Sequence, residues 1–277
     1  MDKQKICIIG DGLAGLTTAV ILSKQNVTID LYSGSKKKNK NLDNRTTAIS
    51  ESNFQYIKNI LNLNKTSFFW LCKSINLFYE DREKIINFLN FNERSKNFMY
   101  IFQNKILKKK LSKVINQKKN IKVIKKNIEN INSADSSVVC SRKKKIYDLI
   151  ILSTGSFSKF YYQIDAGRSI KKNYEEVAIT ATVKHNEKVE NASQFFLKEG
   201  PFAVLPFQKK SFSVVWSVNN NYFKTNKKNL QKILFEKLKK LLNLNKIKSV
   251  GNIQYFSINL DLKTKYFKKK NLIIGDG

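Results

Sequence analysis

The chain has 277 residues, 42% hydrophobic and 26% charged, so it can bury a sizeable core in one large domain or two smaller ones. Its formal net charge of +31 raises nucleic acid or an anionic surface as partners. The lysines run along the whole length, in a chain rich in Asn, Ile and Phe with 2 Pro and 1 His, the residue set that A/T-rich codons favour. That spread argues against nucleic-acid binding as the main function.

The first element is Ile6-Cys7-Ile8-Ile9, an apolar run that enters Gly10-Asp11-Gly12-Leu13-Ala14-Gly15. Strand, glycine turn and following helix form the dinucleotide fingerprint in its required context. Gly10 permits the tight turn, Gly12 the approach of a pyrophosphate, and Gly15 close packing of helix on strand. The N–H groups of Leu13, Ala14 and Gly15 then face the phosphates from the first helical turn. Gly10 and Asp11 also interrupt the apolar run too early for a signal peptide.

Leu13, Leu16, Val20 and Ile21 mark one helical face, and Val27–Tyr32 alternates like a second strand. An adenosine-binding fold places Asp or Glu at the end of that strand; here Ser33 stands there, with Asp30 three residues early on the other face. A helix is expected from Ser50, carrying Phe54, Ile57 and Leu61, and strands or core in residues 66–92. A helix over 104–117 shows Leu107, Leu111, Val114 and Ile115 on one face. Strands are expected at 121–125, 138–141 and 146–152, the last running into Ser153-Thr154-Gly155. From Tyr174 to Val218 the pattern becomes alternating and β, with strands at 177–183, 194–198, 202–207 and 212–218. A basic amphipathic helix follows over 227–244, then strands at 253–260 and 272–274. Cys7, Cys72 and Cys140 lie far apart without metal spacing, so no disulfide framework or zinc site is implied. No apolar run reaches the roughly 18 residues of a membrane span. His185 is expected as an exposed turn residue at a strand end. Tyr161, Tyr162 and Trp216 are candidates for an apolar pocket or for core. No catalytic Ser/His/Asp or metal constellation is visible, and no catalytic residue is assigned.

Several stretches, in order, resemble one family. Arg45-Thr46-Thr47-Ala48-Ile49-Ser50, Met99–Asn104 with Leu107 and Leu111, Gly200–Pro206 through Trp216, and Leu272–Asp276 are similar to segments of the FAD-dependent aromatic hydroxylases of ubiquinone biosynthesis (the UbiH/UbiF/VisC type), within the p-hydroxybenzoate-hydroxylase-like flavoprotein monooxygenases. The resemblance implies an α/β fold: a Rossmann-like FAD-binding domain with an inserted, mostly antiparallel β-sheet substrate domain. Its boundaries would be 1–70 and 99–170 for the FAD domain, 71–98 and 171–262 for the substrate domain, and 263–277 for a final FAD-domain strand and Gly-Asp turn, truncated at the C-terminus.

By the same resemblance Gly10, Gly12 and Gly15 hold the FAD pyrophosphate and Arg45 is a fixed cation near it. Gln103 lies along the flavin chain, Gly275 permits close approach, and Asp276 bonds the ribityl hydroxyls. Thr154, beside Gly155, replaces an Asp that serves both FAD and the nicotinamide cofactor. The implied activity is hydroxylation of a polyprenyl phenol with O₂ and electrons from NAD(P)H or another donor. It would occur in the cytoplasm or peripherally on the inner membrane face, beside other ubiquinone-biosynthesis proteins. Two alternatives stand: a related flavoprotein acting on another aromatic or polyprenyl compound, and a non-catalytic remnant. Ser33, Thr154 and the truncation together predict little or no retained flavin.

Overall fold

A computed structural model describes residues 2–34, 43–63, 66–82, 84–92, 97–155, 160–164, 169–243, 246–251 and 253–275. The chain divides into two compact units: Met1–Asn41, Leu107–Lys172 and Leu260–Gly277 form one, Leu42–Ile106 and Asn173–Asn259 the other. The expected boundaries differ from this division. Residues 42–70 and 99–106, assigned to the FAD domain from the sequence, cluster with the second unit because Thr46–Ser50, Met99–Gln103 and Trp70–Cys72 pair antiparallel in a small sheet of their own.

The first unit is built on a six-stranded sheet in the order Phe267–Lys268, Asn271–Ile273, Leu149–Leu152, Gln4–Ile9, Val27–Tyr32, Ile121–Ile124. All neighbours are parallel except the first pair. Cys7, Ile8, Leu31, Ile150 and Leu152 are buried almost completely, as strands covered on both faces require. The register decides where a ligand can sit. Ile9 lies opposite both Tyr32 and Leu152, and Leu152 lies opposite Ile273. Four strand ends therefore stop level, and the turns after them share one edge of the sheet, the edge at which doubly wound folds bind ligands. The helix Leu13–Leu22 leaves from that edge.

The expected strand 146–152 is two elements. Lys143–Ile146 joins Ser137–Cys140 and Asn130–Asn132 in a three-stranded antiparallel sheet, and Leu149–Leu152 enters the parallel one. Between them Tyr147 is buried and Asp148 Oδ2 accepts the N–H of Lys5 at 2.9 Å. Apolar content alone did not show that break.

The second unit carries an eight-stranded sheet, in the order Ile247–Val250, Ser169–His185, Ser211–Asn219, Gly200–Gln208, Ala192–Leu197, Ser74–Asp81, Lys84–Asn92, with Gln254–Lys263 also paired to the 17-residue strand Ser169–His185. Only Ala192–Leu197 and Ser74–Asp81 run parallel among the inner pairs. Period-two alternation sends Ile179, Ala181 and Val183 to one face with Phe195, Phe202, Phe212, Val214 and Trp216, where Leu230, Leu234 and Leu238 cover them. The amphipathic helix spans Leu230–Leu242 rather than 227–244, and a separate helix, Asn220–Asn226, precedes it with Asn219 Oδ1 accepting from the Tyr222 N–H at 2.8 Å. In the same unit Glu51–Leu61 begins on the expected Ser50, whose hydroxyl caps the Asn53 N–H, and ends on left-handed Asn62.

His185 is not an exposed turn residue. It is fully buried, its ring 5.1 Å from that of Phe212, with Nδ1 accepting the N–H of Glu187 at 3.3 Å and Nε2 lacking a partner. Burial pushes its pKa below the usual value. The strand runs on past its expected end at 183, and continued alternation from Ile179, Ala181 and Val183 turns the imidazole to the same inward face. Trp216 is core, whereas Tyr162 is 75% exposed and lines no interior.

Candidate functional site

The turn after the first strand is held by a residue the motif does not contain. Ser153, buried at the end of Leu149–Leu152, donates its N–H to Ile9 O at 2.8 Å and its hydroxyl to Ile9 O at 3.0 Å. The same oxygen lies 3.3 Å from Gly10 O, and Gly10 N–H reaches Tyr32 O at 2.9 Å. The turn is thus tied to both neighbouring strands. Gly10 has φ +117°, and a Cβ there would meet Ser153 O at 2.3 Å. A Cβ on Gly15 would meet Gly10 O at 2.1 Å and Ser153 Oγ at 2.4 Å. Both positions exclude any side chain, for backbone reasons.

Gly12 is the opposite case. Nothing lies within 4 Å of where its Cβ would be. It is the N-cap of Leu13–Leu22, makes no side-chain capping bond, and accepts the first helical hydrogen bond, from Leu16 N–H at 3.0 Å. The N–H groups of Leu13, Ala14 and Gly15 precede that bond and have no partner four residues back. Open space beside Gly12, with orphan donors following it at the positive end of a ten-residue helix, fits a phosphate group. Gly275, with φ +78°, brings the turn after Asn271–Ile273 against the same helix: its Cβ would lie 3.1 Å from that of Ala14. Thr154 is exposed, and Gly155, with φ +79°, has open space beside it and accepts from the Tyr161 hydroxyl at 2.5 Å. Ser33 is half-buried, its N–H bonded to Ile124 O at 3.0 Å. The first unit therefore brings Gly10, Gly12, Leu13, Ala14, Gly15, Ser33, Thr154, Gly155 and Gly275 to one sheet edge. Asp276 lies outside the described residues.

Two charged groups near this edge were not read from the sequence as a pair. Asp11 Oδ2 lies 3.2 Å from Lys108 Nζ, which offsets a carboxylate placed inside the fingerprint. Asp30 serves elsewhere: its Oδ2 accepts from Tyr147 OH at 2.7 Å and from Lys145 Nζ at 2.9 Å, and Tyr147 OH lies 3.0 Å from Tyr32 OH. Burial, then the bonds to Tyr32 and Asp30, push the Tyr147 pKa far upward, so the phenol stays protonated and donating. Asp30 is therefore unavailable to a ribose.

In the second unit Arg45 precedes the strand Thr46–Ser50 and is gripped by Asp43. Nε reaches Oδ1 and Nη2 reaches Oδ2, both at 2.9 Å, while the Arg45 N–H also bonds Oδ1 at 3.0 Å. The guanidinium sits 5.2 Å from the ring centre of Phe256. Gln103 is the last residue of Met99–Gln103 and is buried, not an exposed helix-start residue; it pairs in register with Thr46, whose hydroxyl is buried without a partner. Asn104 Oδ1 accepts from Thr47 Oγ1 at 2.6 Å, so the segments around Arg45 and Gln103 are locked together. On the sheet face opposite the helices, Thr180 and Thr182 hydroxyls are likewise buried and unpartnered. Among the described residues no group of three His, Cys, Asp or Glu side chains could hold a metal, and no helix is long and apolar enough to cross a membrane.

No protein-family model matches the chain, and no curated protein matches its sequence. Solved structures do match its fold. Over 99% of the chain it superposes on 79% of PqsL, a probable FAD-dependent monooxygenase from Pseudomonas aeruginosa, with TM-score 0.80 and 11% identity. Over its full length it matches 73% of the p-nitrophenol 4-monooxygenase PnpA of Pseudomonas putida, with TM-score 0.78 and 12% identity. The myxobacterial chondrochloren halogenase CndH, an FAD-dependent halogenase, gives TM-score 0.78 and 13% identity over 68% of its chain. The fold is the one these FAD-dependent monooxygenases and halogenases share: a Rossmann-like parallel sheet with a second, largely antiparallel sheet.

Proposed function

We propose that the chain is an FAD-dependent monooxygenase acting on an aromatic ring. One observation carries the reading. At Gly10 and Gly15 an added Cβ would strike backbone, while at Gly12, the residue that precedes three orphan N–H groups, it would enter open space. A merely tight turn would need the first two features and not the third. The fold it shares with flavin-dependent oxygenases supports the cofactor assignment.

The bound flavin would supply the oxygen chemistry, with O₂ and electrons from NAD(P)H or another donor. The protein's work is to bind and orient. Leu13, Ala14 and Gly15 N–H groups take the pyrophosphate, and Lys108 holds the Asp11 carboxylate so that it repels the phosphates less. Ser33 offers the adenosine ribose a hydroxyl instead of a carboxylate. Thr154 offers a hydroxyl, Gly155 leaves room for the flavin chain, and Gly275 lets its turn approach the helix at Ala14. Asp276 serves the ribityl hydroxyls by resemblance. Arg45 and Gln103, in the second unit, are assigned to the flavin by resemblance alone.

The narrower reading, a polyprenyl phenol of ubiquinone biosynthesis met at a membrane surface beside partner enzymes, rests on the resemblance of Arg45–Ser50. A second reading, a non-catalytic relative, is favoured by Ser33 and by the neutralisation of Arg45 by Asp43. Titration with FAD, followed by quenching of flavin fluorescence, separates them. Weak retention on purification, restored by added FAD, with NAD(P)H-dependent hydroxylation of a phenol, is the expected result. Binding without turnover across a panel of phenols supports the second reading. Failure to bind saturating FAD overturns both.

A further inference from the structure

A groove of about 580 Å³ lies in the second unit, between the start of the helix Leu230–Leu242 and the edge strand Ile247–Val250. Three lysines line it from two elements: Lys228 and Lys232, four residues apart on one wall, and Lys248 on the other. Neutral polar groups, Asn229 and Ser249, stand between them, and Phe235 supplies an aromatic ring. The walls are pinned together, since Gln231 Nε2 donates to Val250 O at 3.2 Å. Among the described residues none of the three lysines has a carboxylate within ion-pair distance. Lysines nearby do: Lys237 pairs with Glu199 at 2.8 Å and Lys240 with Glu80 at 3.7 Å. Asn229 stands before the helix without making a capping bond, so its amide is available to the groove.

Three like charges drawn to one concave site repel one another unless an anion joins them. One negative charge would leave two lysines opposed; a dianion bridges them better. We propose that this groove binds a phosphate monoester. The phosphate is held by Lys228, Lys232 and Lys248 through charge-assisted hydrogen bonds, and the organic part lies against Phe235. The ester can come from a soluble metabolite or from a lipid headgroup, and the chemistry at the groove is the same. The site is separate from the glycine turn, and its occupancy does not depend on whether FAD binds there.

Calorimetry with phenyl phosphate tests it on the full chain. Phenyl phosphate is expected to bind about tenfold or more tightly than benzenesulfonate, the same ring with one charge. The double variant Lys228→Ala, Lys248→Ala loses at least tenfold in affinity with an unchanged melting temperature, because both residues are exposed. Lys109→Ala with Lys113→Ala, two exposed lysines of Asn104–Asn116, leaves affinity within about twofold. Equal affinity for the sulfonate, or equal losses in the two double variants, overturns the proposal. Phosphatidylcholine vesicles carrying phosphatidic acid separate the sources. If they capture the chain, lose it with the groove variant only, and phenyl phosphate does not bind, the ester is a lipid headgroup. If neither probe binds, or both variants release the vesicles alike, the proposal fails.

Discussion

At Gly10 and Gly15 the first unit is close-packed because side chains are missing; around Trp216, Phe202, Phe195 and Phe212 the second unit is close-packed because they are large. Both regions are intolerant of change, but in opposite directions. The sheet core fails when atoms are removed, and the turn fails when a single carbon is added. The difference follows from what each region holds. The core encloses apolar surface, whereas the turn keeps backbone donors near enough to face a phosphate.

Substitutions can break this comparison. The largest expected effect is Trp216→Ala, which empties a fully buried site lined by Phe202 and Tyr222 and costs about 3–5 kcal/mol, read from denaturant unfolding. Gly15→Ala comes next. Its methyl would overlap Gly10 O, so about 2 kcal/mol is lost and FAD binding with it. If Gly15→Ala is as stable as the parent, the packed-turn account is wrong. Lowering the pH should weaken the second unit through His185. Its pKa is depressed in the fold, so the unfolded chain takes up the proton first. Stability then falls as pH drops below the unfolded value of about 6.5 and continues to fall until the folded pKa is reached. Urea midpoints at pH 8 and 5.5 measure this, and His185→Phe should flatten the dependence. Gly12→Ala is the smallest in stability, under about 1 kcal/mol, since its Cβ meets nothing. Its effect belongs in FAD affinity, expected to fall several-fold. An equal loss of stability at Gly12 and Gly15 would erase the distinction between the open and the closed glycine.

The parts legible in the sequence were those whose cause is local. The glycine spacing, the Ser50 cap, and the alternation of Ile179, Ala181 and Val183 each depend on neighbours a few residues away. The parts that were not legible depend on register. Ser153 braces the fingerprint only because Ile9 and Leu152 pair, and nothing about a serine after an apolar run announces that. Asp43 lies two residues from Arg45 and could have been suspected from charge alone; the bidentate geometry could not. The orientation of Asp30 to the far face was visible by strand alternation, but its partners Tyr147 and Lys145 come from more than 100 residues later. His185 was misplaced because the strand runs through the position where its apolar pattern stops.

The level strand ends also have a kinetic side. Gln4–Ile9 is completed on one flank by Leu149–Leu152, and that strand in turn by Asn271–Ile273, so the edge is assembled from segments some 120 to 140 residues apart. Loop closure over such distances is slow, and parallel pairing delays it further. During synthesis the fingerprint glycines emerge more than 100 residues before Ser153, and longer still before Gly275. For much of that time this part of the sheet is an open ladder of unpaired backbone. A newly made chain would be more exposed to aggregation there than in the second unit, whose hairpins close locally.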